Sequence, residues 1–348
     1  MTAEKRQRAN ARKQHYVPQL LLREFDLGAS GRKAQVNVFD KHEGRSYRSA
    51  VADVFAERDF NTFDSEEGVL CMEDGMATLE GLAAPVFRRV VDAQALHVLT
   101  AEDRAILDLF CALQKLRGVA LRAQMVALEE DLLARLGAEA DAVPQLQGAG
   151  DRERVKLSAL NLIREGLAEF AHLVGVKDLV LMRAPAGAEF LLGDNPVVLH
   201  NAVDHGPYGN LGLGCLGIEI YLPVAPTLLL AFWCPSILVR QRQLHGEADQ
   251  RLRRAKTLAM LGYGHAQQAA RAESMMLERA EEQLRTLVAG ADAGQAVRCS
   301  ADNMMFYNSL QVGQAERYLV SRNGDFALAR RMIADNERFR GGLRPRFI

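Results

Sequence analysis

Between Leu179 and Phe232 the chain carries five short apolar runs, each bounded by Gly, Pro or Asn. They are Leu179-Val180-Leu181-Met182, Phe190-Leu191-Leu192, Pro196-Val197-Val198-Leu199, Ile218-Glu219-Ile220-Tyr221-Leu222 and Leu228-Leu229-Leu230-Ala231-Phe232. Runs this short, with turn residues at both ends, read as strands and predict a small antiparallel sheet around residues 178–233. Elsewhere the apolar spacing is helical. Met72, Met76, Leu79, Ala83, Val86 and Val90 fall on one side of a helix over 72–91. Thr100, followed three residues later by Asp103, opens a longer helix whose apolar face runs through Ile106, Phe110 and Leu113 toward Leu136. Asp151 to Val174 and the chain from Ser236 onward are again helical, ending in an Arg-rich coil. Gln35 to Phe39 alternates polar and apolar, and with Ser46 to Val51 it forms a hairpin across the turn at Asp40–Gly44. The pattern is α+β and mostly helical, not alternating βαβ.

A chain of 348 residues is past the size at which one core usually stops growing. One domain over 1–348, with two lobes divided by the Ala/Gly-rich stretch 137–150, fits that length. Residues 1–13 read as a basic flexible arm, with Lys5, Arg6, Arg8, Arg12 and Lys13. Basic residues gather again at Arg338, Arg340, Arg344 and Arg346. The net charge of −1 excludes a globally basic nucleic-acid coat and leaves the two basic termini as the places to meet nucleic acid. Five scattered cysteines without a CxxC argue against a zinc ribbon or a disulfide framework. The longest apolar run, Thr227 to Cys234, is too short to span a bilayer, and the polar N-terminus lacks a secretory h-region, so the expected location is the cytoplasm away from membranes.

The densest chemistry lies in Gln14-His15-Tyr16-Val17-Pro18-Gln19, followed by Leu20-Leu21-Leu22-Arg23-Glu24-Phe25. Pro18 suits a first helical turn. From there Leu21, Leu22 and Phe25 make an apolar stripe, while Gln19 and Arg23 share another face. His15 and Tyr16 sit at the helix entrance. An imidazole titrates near neutral pH and suits proton transfer; a guanidinium suits phosphate. Gln19 suits a phosphate oxygen or a water. The plainer reading puts His15 in a buried network and Arg23 in a salt bridge.

Glu73 and Glu80 are seven apart and nearly on one helix face. They read as a solvated face, as ligands of Mg²⁺ or Mn²⁺, or, for Glu80, as a partner of His15 or Arg23. Asp194-Asn195-Pro196 reads as a turn, or with Asp194 as a base facing a cleft. Arg117 and Arg122 extend an anion-binding surface or pair with Glu129 and Asp131. Asn308, Gln311 and Gln314 share a late helix, where amides touch substrate or satisfy buried backbone. Gly212-Leu213-Gly214-Cys215-Leu216-Gly217 matches G-x-G-x-x-G but precedes a strand-like run, the wrong context for a dinucleotide site. The remaining histidines show no metal-ligand spacing.

The stretch around His15 resembles the N-terminal signature of the HYVP-motif family, domain of unknown function 4238. Leu192-Gly193-Asp194-Asn195-Pro196-Val197-Val198 is similar to that family's second landmark, and the carboxylates near Glu80 and the Asn308 helix lie where it has comparable residues. The resemblance implies one family domain over nearly the whole chain and implies no activity.

The function expected from the residues is cleavage of a phosphodiester, as an RNase or DNase of a microbial defence or stress system. His15, Arg23, Glu80 and Asp194 are its candidate catalytic groups, and Tyr16, Gln19, Arg117, Asn195 and Asn308 its substrate contacts. Whether Mg²⁺ or Mn²⁺ takes part stays open. The competing expectation is a non-enzymatic sensor or interaction protein whose polar cluster is structural.

Overall fold

A computed structural model describes residues 13–28, 33–65, 68–137, 151–206 and 209–345, side chains of 64–70 excepted. Residues 1–12 of the basic arm, most of the 137–150 stretch and the extreme C-terminus lie outside the described residues.

The chain begins with β1 (Lys13–His15) and α1 (Gln19–Glu24). Pro18 stands just before the helix with extended backbone, so α1 starts one residue later than its proline suggests. Leu21, Leu22 and Phe25 are wholly buried, as the stripe requires. Next come the hairpin β2 (Gln35–Asp40) and β3 (Arg45–Ala50), then β4 (Ala56–Arg58), β5 (Thr62–Ser65) and β6 (Gly68–Cys71). These last three have no counterpart among the elements read from the sequence. β4 pairs β1, and β5 pairs β6, both antiparallel.

Four helices follow: α2 (Glu73–Ala93), α3 (Ala101–Arg117), α4 (Val119–Leu136) and α5 (Arg152–Gly175). Thr100 and Asp103 form the reciprocal capping box at the head of α3. The single long helix expected from 101 toward 136 is two helices. Gly118 takes an extended conformation at φ −67°, ψ 155° and divides them. Glycine is a poor helix former, and the apolar periodicity alone hides the break.

The central sheet has strand order β12-β7-β11-β10-β9, with β7 (Asp178–Arg183), β9 (Val198–Asn201), β10 (Ile218–Ala225), β11 (Leu228–Trp233) and β12 (Val297–Arg298). All neighbours are antiparallel except β12 and β7. The Phe190–Leu192 run departs from expectation. Its only strand, β8 (Leu192–Gly193), joins the other sheet, ordered β3-β2-β13-β8. That sheet is completed by β13 (Tyr318–Ser321), too short to stand out from the helices around it.

The central sheet is covered on both faces. Leu181, Ile220, Leu222, Leu230 and Phe232 point into a core shared with α1, α2 and α3. Val180, Met182, Tyr221 and Trp233 point the other way, toward α6 (Pro235–Leu261), α7 (Gly264–Asp292) and α8 (Ala301–Gln314). Burial on both faces explains why these strands read as continuous apolar runs. A final helix, α9 (Ala327–Asp335), packs beside β13. Gly217 ends the glycine loop at φ +81°, with Val203 2.6 Å from where a Cβ would stand. The loop leads directly into β10 rather than into a helix, which is the wrong context for a dinucleotide fingerprint.

Candidate functional site

Two polar clusters hold almost all the residues singled out in the sequence. The first forms around His15. Pairing of β1 with β4 sets Gln14 opposite Glu57 and His15 opposite Ala56. Gln14 is buried and bonds the Asn61 N–H and the Thr62 hydroxyl. The half-buried His15 ring bonds the Val51 carbonyl, and its Nε2 is covered and has no partner. Burial pushes its pKa below the ordinary value; the Val51 bond and the Glu80 charge oppose this, and Lys13 and Arg117 reinforce it. A neutral imidazole with a bare nitrogen is the form a general base needs.

Lys13 aside, the charges that act on His15 come from helices far along the chain. Arg117, the last residue of α3, is 1% exposed. Its Nη1 donates to Glu80 at 2.6 Å and its Nε to Gln114 at 3.0 Å; its Nη2 is buried without a partner. Gln114 in turn donates to the Tyr16 carbonyl at 2.7 Å, tying this array to the residue after His15. Glu73 accepts from Asn61 Nδ2 at 2.9 Å. Burial raises its pKa against that bond and against the Arg117 charge. Asn61 is wholly buried, yet its Oδ1 is unpartnered. The cluster therefore leaves an imidazole nitrogen, an amide oxygen and a guanidinium nitrogen unsatisfied.

Asn61 follows Phe60, and across Phe60 lies Arg122 of α4. Its guanidinium stacks 3.6 Å from the Phe60 ring centroid and donates Nη1 to the Phe60 carbonyl at 2.8 Å. Its Nε and Nη2 are buried without partners. Burial lowers its pKa to about 10, with Glu57 and Glu153 too weak to offset it. This fork belongs to the wall of a cavity of about 880 Å³, which Lys156, Arg152 and Arg344 also line, together with Glu57 and Glu130. A stacked guanidinium with two unused N–H groups matches the paired oxygens of a phosphate or carboxylate.

The second cluster forms around Asp194, and none of its buried polar side-chain atoms lacks a partner. Its carboxylate accepts from the backbone N–H groups of Glu316, Arg317 and Tyr318 at 2.7–2.8 Å. Burial raises its pKa to about 6 despite those donors and the nearby Lys41. Lys41 is wholly buried and donates to the carbonyls of Val312, Ala315 and Gly341. Asn195 Nδ2 donates to Gln314 O. Along α8 three amides clamp the 189–199 segment. Asn308 bonds the Leu191 N–H and the Glu189 carbonyl. Gln311 bonds Gly193 and Pro196 in the same way. Gln314 takes both groups of Leu199. Along the outer edges of β8 and β9 these side chains stand in for a second strand neighbour, so the edge backbone is satisfied.

The other residues singled out are placed as follows. Arg23 is exposed and bonds Gln19 at 3.1 Å. Tyr16 is buried between Phe55 and Phe60 and, with Asp194 and Arg317, lines a cavity of about 280 Å³. Glu80 pairs with Arg117, not with Arg23. Glu129 and Asp131 pair with Arg154 and Arg135. Among the described residues no group of three or more His, Cys, Asp or Glu side chains stands ready to hold a metal ion. No helix among them is long and apolar enough to cross a membrane. Asn61 and Gln114 were missed in the sequence. The spacing of Gln114 and Arg117 on one helical face was the only available sign.

A family model, described as a protein of unknown function, matches residues 13–325. No curated protein and no solved structure matches the chain.

Proposed function

We propose, for a chain that belongs to the DUF4238 family of proteins of unknown function, a phosphodiester-cleaving activity, as an RNase or DNase, with a microbial defence or stress role as its setting. The carrying observation is Arg122: a buried, stacked guanidinium with two unpaired nitrogens at the wall of a cavity of about 880 Å³. It binds the phosphate. Across the Phe60–Asn61 segment, the neutral His15 moves the proton, while Arg117 and Glu80 fix the charge around it. Glu73 holds Asn61 in place. Arg23 and Asp194 take no part in this reading, one being exposed and bonded to Gln19 and the other committed to backbone. Tyr16 shapes the site, while Asn195 and Asn308, like Asp194, are committed to backbone.

The test is incubation of purified protein with labelled single- and double-stranded RNA and DNA, with Mg²⁺ or Mn²⁺ and with chelator. Cleavage lost by roughly 10²–10⁴-fold in His15→Gln supports the reading. Equal inactivity of wild type and variant under every condition removes it. One observation favours a second reading: His15 Nε2 has no exposed surface. A sensor that holds a phosphate-bearing ligand at Arg122 without turnover fits that closure. It predicts binding that Arg122→Gln abolishes, and no product.

A further inference from the structure

On the far face of the central sheet, β9, β10 and β11 align His200, Glu219 and Trp233 in one cross-strand row. Tyr221, two residues along β10, shares that face. Opposite them stand α6, α7 and α8, and the two layers enclose a second cavity of about 690 Å³. This lies within the size range of small-molecule sites, which run roughly 300–1,000 Å³.

The floor is aromatic. Tyr221 and Trp233 are buried, and the Tyr307 ring stands 4.8 Å from that of Tyr221. The Trp233 indole N–H donates to the Tyr221 hydroxyl at 3.2 Å. That hydroxyl donates its own proton to Glu219 Oε2. Glu219 Oε1 is left with His200 Nε2 at 3.9 Å, beyond hydrogen-bond reach. Phe306 meets the His200 ring edge-on and holds it aside. At the rim, Glu282 is engaged by Arg285, while Arg298 contributes one exposed positive charge.

An aromatic floor and a mostly desolvated carboxylate with one open oxygen have a definite complement. We propose that this cavity binds a small organic amine, protonated and carrying an apolar or aromatic body, with its N–H on Glu219 Oε1 and its body over Trp233 and Tyr307. The ammonium gains a charged hydrogen bond, and the ring faces add cation–π attraction. Burial raises the Glu219 pKa, with the Tyr221 bond and His200 opposing. Amine binding therefore falls as pH drops through that titration.

Trp233 is the chain's only tryptophan and lines this cavity, so fluorescence excited selectively at the indole reads the cavity from its own floor. The experiment titrates the intact protein with phenethylamine, 2-phenylethanol and phenylacetate, which share one body and differ in charge. The expected result is saturable change with phenethylamine, about tenfold weaker binding of the alcohol and none of the acid. Glu219→Gln should erase the preference for the amine. If that variant does not fold, Glu219→Asp and the pH dependence of wild type carry the same comparison. Tightest binding of phenylacetate would make this an anion site. No saturable change with any probe, or an undiminished amine preference in the folded variant, overturns the proposal.

Discussion

The Asp194 and His15 clusters are built from the same kinds of side chain and end in opposite states. Around Asp194 the carboxylate, the Lys41 ammonium and the amides of α8 each meet backbone partners. Around His15, four side chains keep buried polar atoms with no partner: His15, Asn61, Arg117 and Arg122. Leaving a buried polar group unpaired costs about 1–3 kcal/mol, so a chain that completes one cluster and not the other tolerates that cost for a reason outside stability. The satisfied cluster is a joint between α8, β8 and β13. The unsatisfied one is where the ligand of the proposed function would make its bonds.

The contrast breaks most sharply at Asp194. Replacing it with Ala orphans three backbone N–H groups and removes the counter-charge near a buried lysine. Chemical denaturation should show a loss of about 3–5 kcal/mol, or a protein that no longer folds. Gln311→Leu should come next. It leaves the Gly193 N–H and the Pro196 carbonyl unpaired, at roughly 1–3 kcal/mol for each group. If either variant melts like wild type, the joint is not what holds the second sheet to α8.

The two clusters also differ in how they answer pH. Asp194 has a folded pKa near 6 against an ordinary 3.8. Its contribution is fully present below 3.8 and is lost as pH rises through 6, and Asp194→Asn should remove that slope from a stability–pH curve. His15 has a folded pKa below 6.5. Its contribution is present above 6.5 and is lost as pH falls through the lowered value, a dependence that His15→Gln should abolish. A smaller effect is expected at Arg122. Arg122→Lys keeps the charge and loses the fork, so affinity for an oligonucleotide 5′-phosphate, read by fluorescence anisotropy, should fall about tenfold with little change in melting.

Much of the fold was legible because its signals are local. The stripe of Leu21, Leu22 and Phe25, the Thr100–Asp103 cap and the Gln35–Phe39 alternation each specify their element within a few residues. Strands β4 to β6 and β13 were not legible, since each is four residues or fewer and gains its order from partners distant in sequence. The membership of β8 depended on the same distant pairing. For the site, the sequence marked His15, Glu80, Asp194 and Asn308 by type and could not say which were satisfied. That depended on Gln114 reaching Tyr16, on Arg122 finding Phe60, and on α8 lying alongside residues 189–199. Arg122 carries the proposal because of bonds it lacks, and no residue pattern announces a missing bond.

The most direct measurement is the equilibrium unfolding free energy of His15→Gln beside wild type at neutral pH. An imidazole with an idle nitrogen contributes little to the fold, so a difference within about 1 kcal/mol is predicted. A loss as large as that of Asp194→Ala would mean that His15 holds the structure together, and would contradict the separation of the two clusters.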